Sequence, residues 1–294
     1  MNIKYVDADK LYKGLNKKLI NNSTRIAQKD NIPYIEFTPF DEFEWVKLDF
    51  STRLGGVSEG IYSSMNFSFD RGDSYENVYK NYELFLDTMN LKPENCVCTK
   101  QTHTTNVLAV NSDMAGMGLT RPRSFDNVDG LVTNEPGLCL VTYFADCVPV
   151  YFVDPVKRCI GASHSGWRGT AADITHETVN LMSRTYGSKS KDIHAFIGPS
   201  ICQDCYEVDE AVADKFRAVY SEDEINMILY HTFGDKYQLN LQTANYFNMV
   251  HAGIKPDNIG ISNICTSCNS SWLFSHRASH GKRGVLCGFM SICG

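Results

Sequence analysis

The 294-residue chain has no apolar run near the roughly 20 residues a membrane-spanning helix needs. That argues against a membrane protein. It also lacks an excess of positive charge: 28 Lys and Arg face 34 Asp and Glu, a formal net charge of −6. Phosphate backbones select basic surfaces, so nucleic acid is not an expected partner. Eight histidines include no His-X-His pair, which speaks against a multi-histidine metal cluster. Repeats, low-complexity stretches and Pro/Ser-rich linkers are absent. The opening Met1–Asp7 has no apolar signal region, so a cytoplasmic protein is expected.

Cysteine is plentiful instead, at 11 residues, an odd number. In a reducing compartment these are expected to be thiols, ligands or core fillers rather than disulfides. Cys139, Cys159 and Cys287 sit inside apolar runs and read as small buried hydrophobes. The pairs Cys202/Cys205 and Cys265/Cys268 could together form a four-thiolate zinc site. Yet 59 residues separate them and no local signal draws them together, so packed or exposed thiols are expected there.

Apolar patterning predicts a sheet-rich α/β (α+β) fold. Val46, Leu48 and Phe50 alternate with Lys47 and Asp49, as in a half-buried strand. The runs 138–144, 148–153, 159–162 and 195–197 are continuously apolar, as in central strands covered on both faces. A capping box at Asp73–Glu76 predicts a helix through Val78, Tyr82, Phe85 and Leu86. A second helix is expected from a Thr170 cap to Tyr186, ended by Gly187. Val208, Val212, Phe216 and Val219 repeat at helical spacing. Residues 111–127 read as a long surface loop, and residues 11–35 as a helical or mobile extension.

Three segments carry chemistry: Lys100-Gln101-Thr102-His103, Ala145-Asp146-Cys147-Val148-Pro149 and Ser163-His164-Ser165-Gly166-Trp167-Arg168-Gly169. Each places a transition-metal ligand at the edge of a strand-like run. A zinc held by three protein groups keeps a fourth position open for water or substrate, as catalytic sites require. Asp146 is a charge at the end of a buried strand and could orient a ligand histidine. Gly166 and Gly169 allow a tight turn into a helix start suited to an anion, beside Arg168. Each residue also has a plainer reading: a satisfied histidine, a buried thiol, a solvated arginine. The ligands are 44 and 17 residues apart and match no local metal motif. Cys147 with His164 could equally be a nucleophile and its base, as in a cysteine hydrolase. His276 and His280, four apart without a metalloprotease Glu, read as non-metal residues.

Further blocks run in order along the chain: Ser51–Ser58, Asn66-Phe67-Ser68, Asp129–Thr133, Ile197-Gly198-Pro199-Ser200-Ile201, Cys265-Thr266 and Phe274-Ser275-His276-Arg277. With the three segments above, they resemble the family named for polyphenol-oxidase laccase domains, whose members include zinc-dependent purine nucleoside enzymes and relatives linked to editing of peptidoglycan precursors. The resemblance spans about Ser51 to Met290. It implies a single four-layer α/β/β/α domain with large mixed sheets, expected over residues 41–294, after an N-terminal extension over 1–40. It places the metal ligands on His103, Cys147 and His164, with zinc expected ahead of copper. It implies transferase and hydrolase activities: purine nucleoside phosphorylase, methylthioadenosine phosphorylase and adenosine deaminase, acting on purine nucleosides and phosphate. With Arg168 among the catalytic candidates, phosphate is expected to be held by Arg53 and Arg168, then Arg277 and Arg283. Asn66 and Gln101 are candidates to fix sugar or base. Thr104 replaces the glycine usual after the first histidine, and Ser165 replaces a common alanine, which puts substrate preference in question. Hydrolysis of a cell-wall precursor, copper oxidation of phenols and a non-catalytic binding module are the competing functions.

Overall fold

A computed structural model describes residues 4–6 and 23–293. Its strands are β1 (Lys4–Val6), β2 (Thr24–Lys29), β3 (Ile32–Phe37), β4 (Val46–Ser51), β5 (Cys96–Cys98), β6 (Val107–Ala109), β7 (Gly130–Thr133), β8 (Cys139–Phe144), β9 (Val148–Asp154), β10 (Cys159–Ser165), β11 (His194–Ile197), β12 (Glu207–Asp209), β13 (Leu229–His231), β14 (Lys236–Leu239), β15 (Ile259–Ile261) and β16 (Leu286–Ile292). The helices are α1 (Tyr75–Thr88), α2 (Trp167–Ala171), α3 (Ile174–Tyr186), α4 (Glu210–Arg217), α5 (Glu222–Ile228) and α6 (Leu241–His251).

One sheet has seven strands in the order β1-β2-β3-β4-β16-β8-β5, and a second has six, β15-β11-β9-β10-β7-β6. Both are mixed: β5–β8, β6–β7 and β11–β15 are parallel pairs among antiparallel neighbours. The strands β12, β14 and β13 form a small third sheet. The two large sheets face each other across one apolar cluster, in which Phe37, Phe50 and Phe144 meet Tyr151, Ile160 and Phe196. Helix α1 covers the outer face of the first sheet, packing Val78, Tyr82 and Phe85 with Tyr34, Val141 and Phe289. Helices α3 and α6 cover the second, packing Val179, Met182 and Met249 with Val132, Val150 and Phe152. The expected four-layer α/β/β/α arrangement results. Burial on both faces explains why β8, β9, β10 and β16 read as unbroken apolar runs rather than alternating ones.

Several local expectations need correction. Residues 24–29 and 32–37 are strands paired into the seven-stranded sheet, not a helical extension; residues 11–22 lie outside the described residues. Ser74, not Asp73, caps α1 by accepting the Asn77 N–H. The helix expected from Thr170 is two helices. Asp173 breaks it in the left-handed region (φ 60°) and caps α3 through the His176 N–H. Thr170 turns inward, donating to the Gly166 carbonyl and accepting from Asn245. Val208 lies on β12, Val212 and Phe216 on α4, and Val219 is exposed beyond it. No described helix is long and apolar enough to cross a membrane.

Candidate active site

Register brings the three segments together. Strands β9 and β10 pair with Pro149 opposite His164 and Val148 opposite Ser165. Cys147, one residue before β9, therefore lies beside the end of β10. Strand β7 flanks β10 on the other side, with Gly130 opposite Ser163, so Asp129 borders His164. The 99–104 loop, after β5 of the opposing sheet, brings His103 over the same sandwich end. The ligand atoms of His103, Cys147 and His164 lie within 4.8 Å of one another. Cys147 Sγ is 4.0 Å from His103 Nε2, and the two imidazole rings are 4.9 Å apart at 82°.

Asp129, fully buried, is the hub of this arrangement. Its Oδ1 accepts His164 Nδ1 at 2.8 Å and the His103 N–H at 3.0 Å. Its Oδ2 accepts the N–H groups of Thr102 and Thr104 and the Thr104 hydroxyl, each at 3.0 Å. One carboxylate thus fixes the loop carrying the first histidine and the tautomer of the second, leaving His164 Nε2 free toward Cys147. Burial disfavours the Asp129 charge, but these donors, His164 foremost, hold its pKa below the usual value. Burial likewise opposes ionisation of Cys147, yet the neighbouring imidazoles outweigh it and draw the thiol down to about 6. His164 is raised to about 9: burial opposes its charge, while Cys147 and Asp129 favour it. Without a metal, the pair is a thiolate and an imidazolium.

The residues fit a metal ion. Two imidazole nitrogens and a thiolate suit zinc or copper rather than magnesium or calcium. Asp129 supplies the outer carboxylate that such histidines require. Gly166 leaves the room: a Cβ there would stand 2.9 Å from His103 Cδ2 and 3.1 Å from Cys147 Sγ. The two substitutions flagged in sequence are absorbed locally. Thr104 adds a bond to Asp129, and Ser165 bonds the Thr170 hydroxyl at 2.9 Å.

The three ligands lie on a cleft of about 270 Å³, which Phe67, Phe69 and Phe144 line together with Lys100, Arg71, Arg123 and Arg283. Lys100 pairs with Asp70 at 3.1 Å. Among the described residues none of the three arginines forms an ion pair. Arg283 Nε is buried with no hydrogen-bond partner among the described residues, and burial pushes the guanidinium down to about 10.

Other predicted residues are placed differently. Arg53 donates Nε to Ser63 O and Nη1 to Ser270 O and lies over Phe274, bracing two loops away from the cleft. Arg168 is exposed, stacked 4.2 Å over Trp167. Arg277 donates to the Glu207 carbonyl and lies over Tyr206. Buried Asn66 spends its amide on Ser68, Asp73 and Val285, so it shapes the wall without reaching ligand. Gln101 lines the cleft, but its amide pairs both backbone groups of Tyr143. Asp146 does not orient a histidine: it accepts from Thr266 Oγ1 and the Arg277 N–H. Asp129, Arg71 and Arg123 were missed in sequence. Asp129 carried the signal already noted for Asp146, a charge abutting a buried strand. Arg71 ends a short 3-10 turn and Arg123 sits in a loop, and the approach of both to the cleft depends on tertiary packing.

A family model described as multi-copper polyphenol oxidoreductase laccase matches residues 47–293. A Bacillus subtilis protein named purine nucleoside phosphorylase YlmD is 35% identical over 244 residues, 83% of this chain and 87% of that protein. A Bacteroides thetaiotaomicron purine nucleoside phosphorylase is 35% identical over 243 residues, 82% of this chain and 89% of its own. The crystal structure of YlmD from Geobacillus stearothermophilus superposes with a TM-score of 0.84 at 31% identity, covering 91% of this chain and 98% of that one.

Proposed function

The chain belongs to the multi-copper polyphenol oxidoreductase laccase family, and on that footing we propose that it is a zinc-dependent purine nucleoside phosphorylase that also deaminates adenosine and accepts methylthioadenosine. The observation that carries this reading is the cleft, in which arginines that have no ion-pair partner among the described residues, and aromatic walls, open onto His103, Cys147 and His164. The relatives named purine nucleoside phosphorylase support it.

In this reading Arg283, with Arg71 and Arg123, holds phosphate, and the buried Nε of Arg283 gains the acceptor it lacks. Neutralising the dianion lets a phosphate oxygen approach the anomeric carbon while the bond from that carbon to the purine nitrogen breaks. The base leaves with the bond electrons and takes a proton, and ribose 1-phosphate remains. Phe69 and Phe144 offer the planar base an apolar wall. His103, Cys147 and His164 would hold zinc, which supplies a Lewis acid beside the substrate. Asp129 keeps the His164 lone pair directed at that position throughout. Deamination uses the same floor, with water replacing the amine at C6 and ammonia leaving. Reduced thiols such as Cys147 suit a cytoplasmic setting.

The test is incubation of the purified protein with adenosine, with and without phosphate, and identification of products by mass. Adenine and ribose 1-phosphate are expected only with phosphate, and inosine in both. Absence of base release in both overturns the phosphorylase assignment. The Cys147–His164 thiolate–imidazolium pair favours one second reading, a cysteine hydrolase. Turnover that survives chelation but not alkylation would select it.

A further inference from the structure

The second cysteine group was expected to remain scattered, and it does not. The sulfurs of Cys202, Cys205, Cys265 and Cys268 lie within 4.8 Å of one another, with Cys205 and Cys268 at 3.5 Å. We propose that these four thiolates bind a structural zinc ion, separate from the His103–Cys147–His164 site, that clamps the loop after β11 to the loop after β15.

Three observations support it. The spacing is Cys-x-x-Cys twice, and bonds of about 2.3 Å in a tetrahedron put sulfurs about 3.8 Å apart, close to what the four positions already provide. Two backbone N–H groups, of Cys202 and Cys268, point at Cys265 Sγ at 3.2 and 3.4 Å. A neutral thiol is a weak acceptor, whereas a metal-bound thiolate rewards such donors. Finally, the loops are built to meet. Strands β11 and β15 are parallel neighbours, so the segments leaving them run side by side, and Ser200 bridges to Cys265. Ser200 N–H donates to Ile264 O and Thr266 N–H to Ser200 O.

The clamp also reaches the active site. Thr266, between the two cysteines of its pair, donates to Asp146 Oδ1 at 2.6 Å, and the Ile201 N–H donates to the Asp146 carbonyl at 3.0 Å. Asp146 has φ 89°, a conformation a non-glycine residue holds only when its surroundings insist. The two segments the zinc would join therefore hold the residue that places Cys147.

The test counts zinc in protein purified by gel filtration without chelator, by native mass spectrometry. Wild type is expected to carry two zinc ions. The His103→Ala/Cys147→Ala/His164→Ala triple variant should keep one, with X-ray absorption showing four sulfur neighbours. A triple variant that is folded and zinc-free overturns the proposal, as does one whose cysteines 205 and 268 are joined as a disulfide instead. Should the triple variant not fold, wild type decides alone: X-ray absorption is expected to show more than one sulfur neighbour per zinc, and zinc-free protein or a single sulfur per zinc overturns the proposal. Failure of the phosphorylase reading would appear instead as absent turnover with zinc content unchanged.

Discussion

At the scale of single residues, Asp129 governs the site through five donors on two oxygens. Replacing it with Asn turns one acceptor toward those N–H groups into a donor. Asp129→Asn is therefore expected to weaken zinc binding at the histidine–cysteine site by about 10–100-fold, measured by chelator competition; unchanged affinity would remove Asp129 from its assigned place. The arginines separate in the same way. Arg283→Ala should raise KM for phosphate at least about tenfold with zinc retained, the loss of roughly one charge-assisted hydrogen bond. Arg53→Ala should leave that KM alone and lower the melting temperature, because its bonds brace loops. Sequence made His103, Cys147 and His164 visible because each lies at the edge of a strand-like run. It could not rank the arginines, since a guanidinium facing a cleft and one capping a loop have the same local context.

At the scale of elements, the buried strands were legible because two covered faces leave continuous hydrophobic signatures. The α2–α3 break was not, because it hangs on one backbone angle. Asp173 adopts the left-handed conformation and still caps α3. Asp173→Ala forfeits the cap and adds strain, so it should cost about 1–2 kcal/mol in chemical denaturation. Asp173→Gly loses the cap but relieves the angle and should cost less than half as much. Equal losses would show that backbone strain plays no part. The strands β2 and β3 were hidden by the polar sequence preceding them, and their apolar residues gain meaning only through the pairing of β2 with β3 and of β3 with β4.

At the scale of the whole molecule, convergence comes from topology that spacing does not reveal. Cys147 and His164, 17 residues apart, meet because β9 and β10 are neighbours, and His103, 44 residues before Cys147, reaches them from the loop after β5 of the opposing sheet, held there by Asp129 at the start of β7. The four cysteines meet because β11 and β15 are parallel. The same close packing leaves one cost, at Asp49. Burial pushes its pKa from 3.8 to about 7, only partly offset by Lys47 at 4.0 Å. The folded chain keeps this proton between about pH 4 and 7, whereas the unfolded chain has released it. Stability from this group therefore falls as pH rises through that window and is level above it, by up to roughly 4 kcal/mol. Asp49→Asn should raise the melting temperature at pH 8 and change it little at pH 4; a gain at pH 4 as large as that at pH 8 would contradict this origin.

The central claim, that His103, Cys147 and His164 converge to support phosphorolysis, is tested most directly by metal removal and return with inosine and phosphate as substrates. Wild type should release hypoxanthine and ribose 1-phosphate, lose that activity on chelation and regain it as zinc is restored, while His164→Ala stays inactive throughout. Undiminished ribose 1-phosphate formation by chelated protein, or by His164→Ala, would contradict the account.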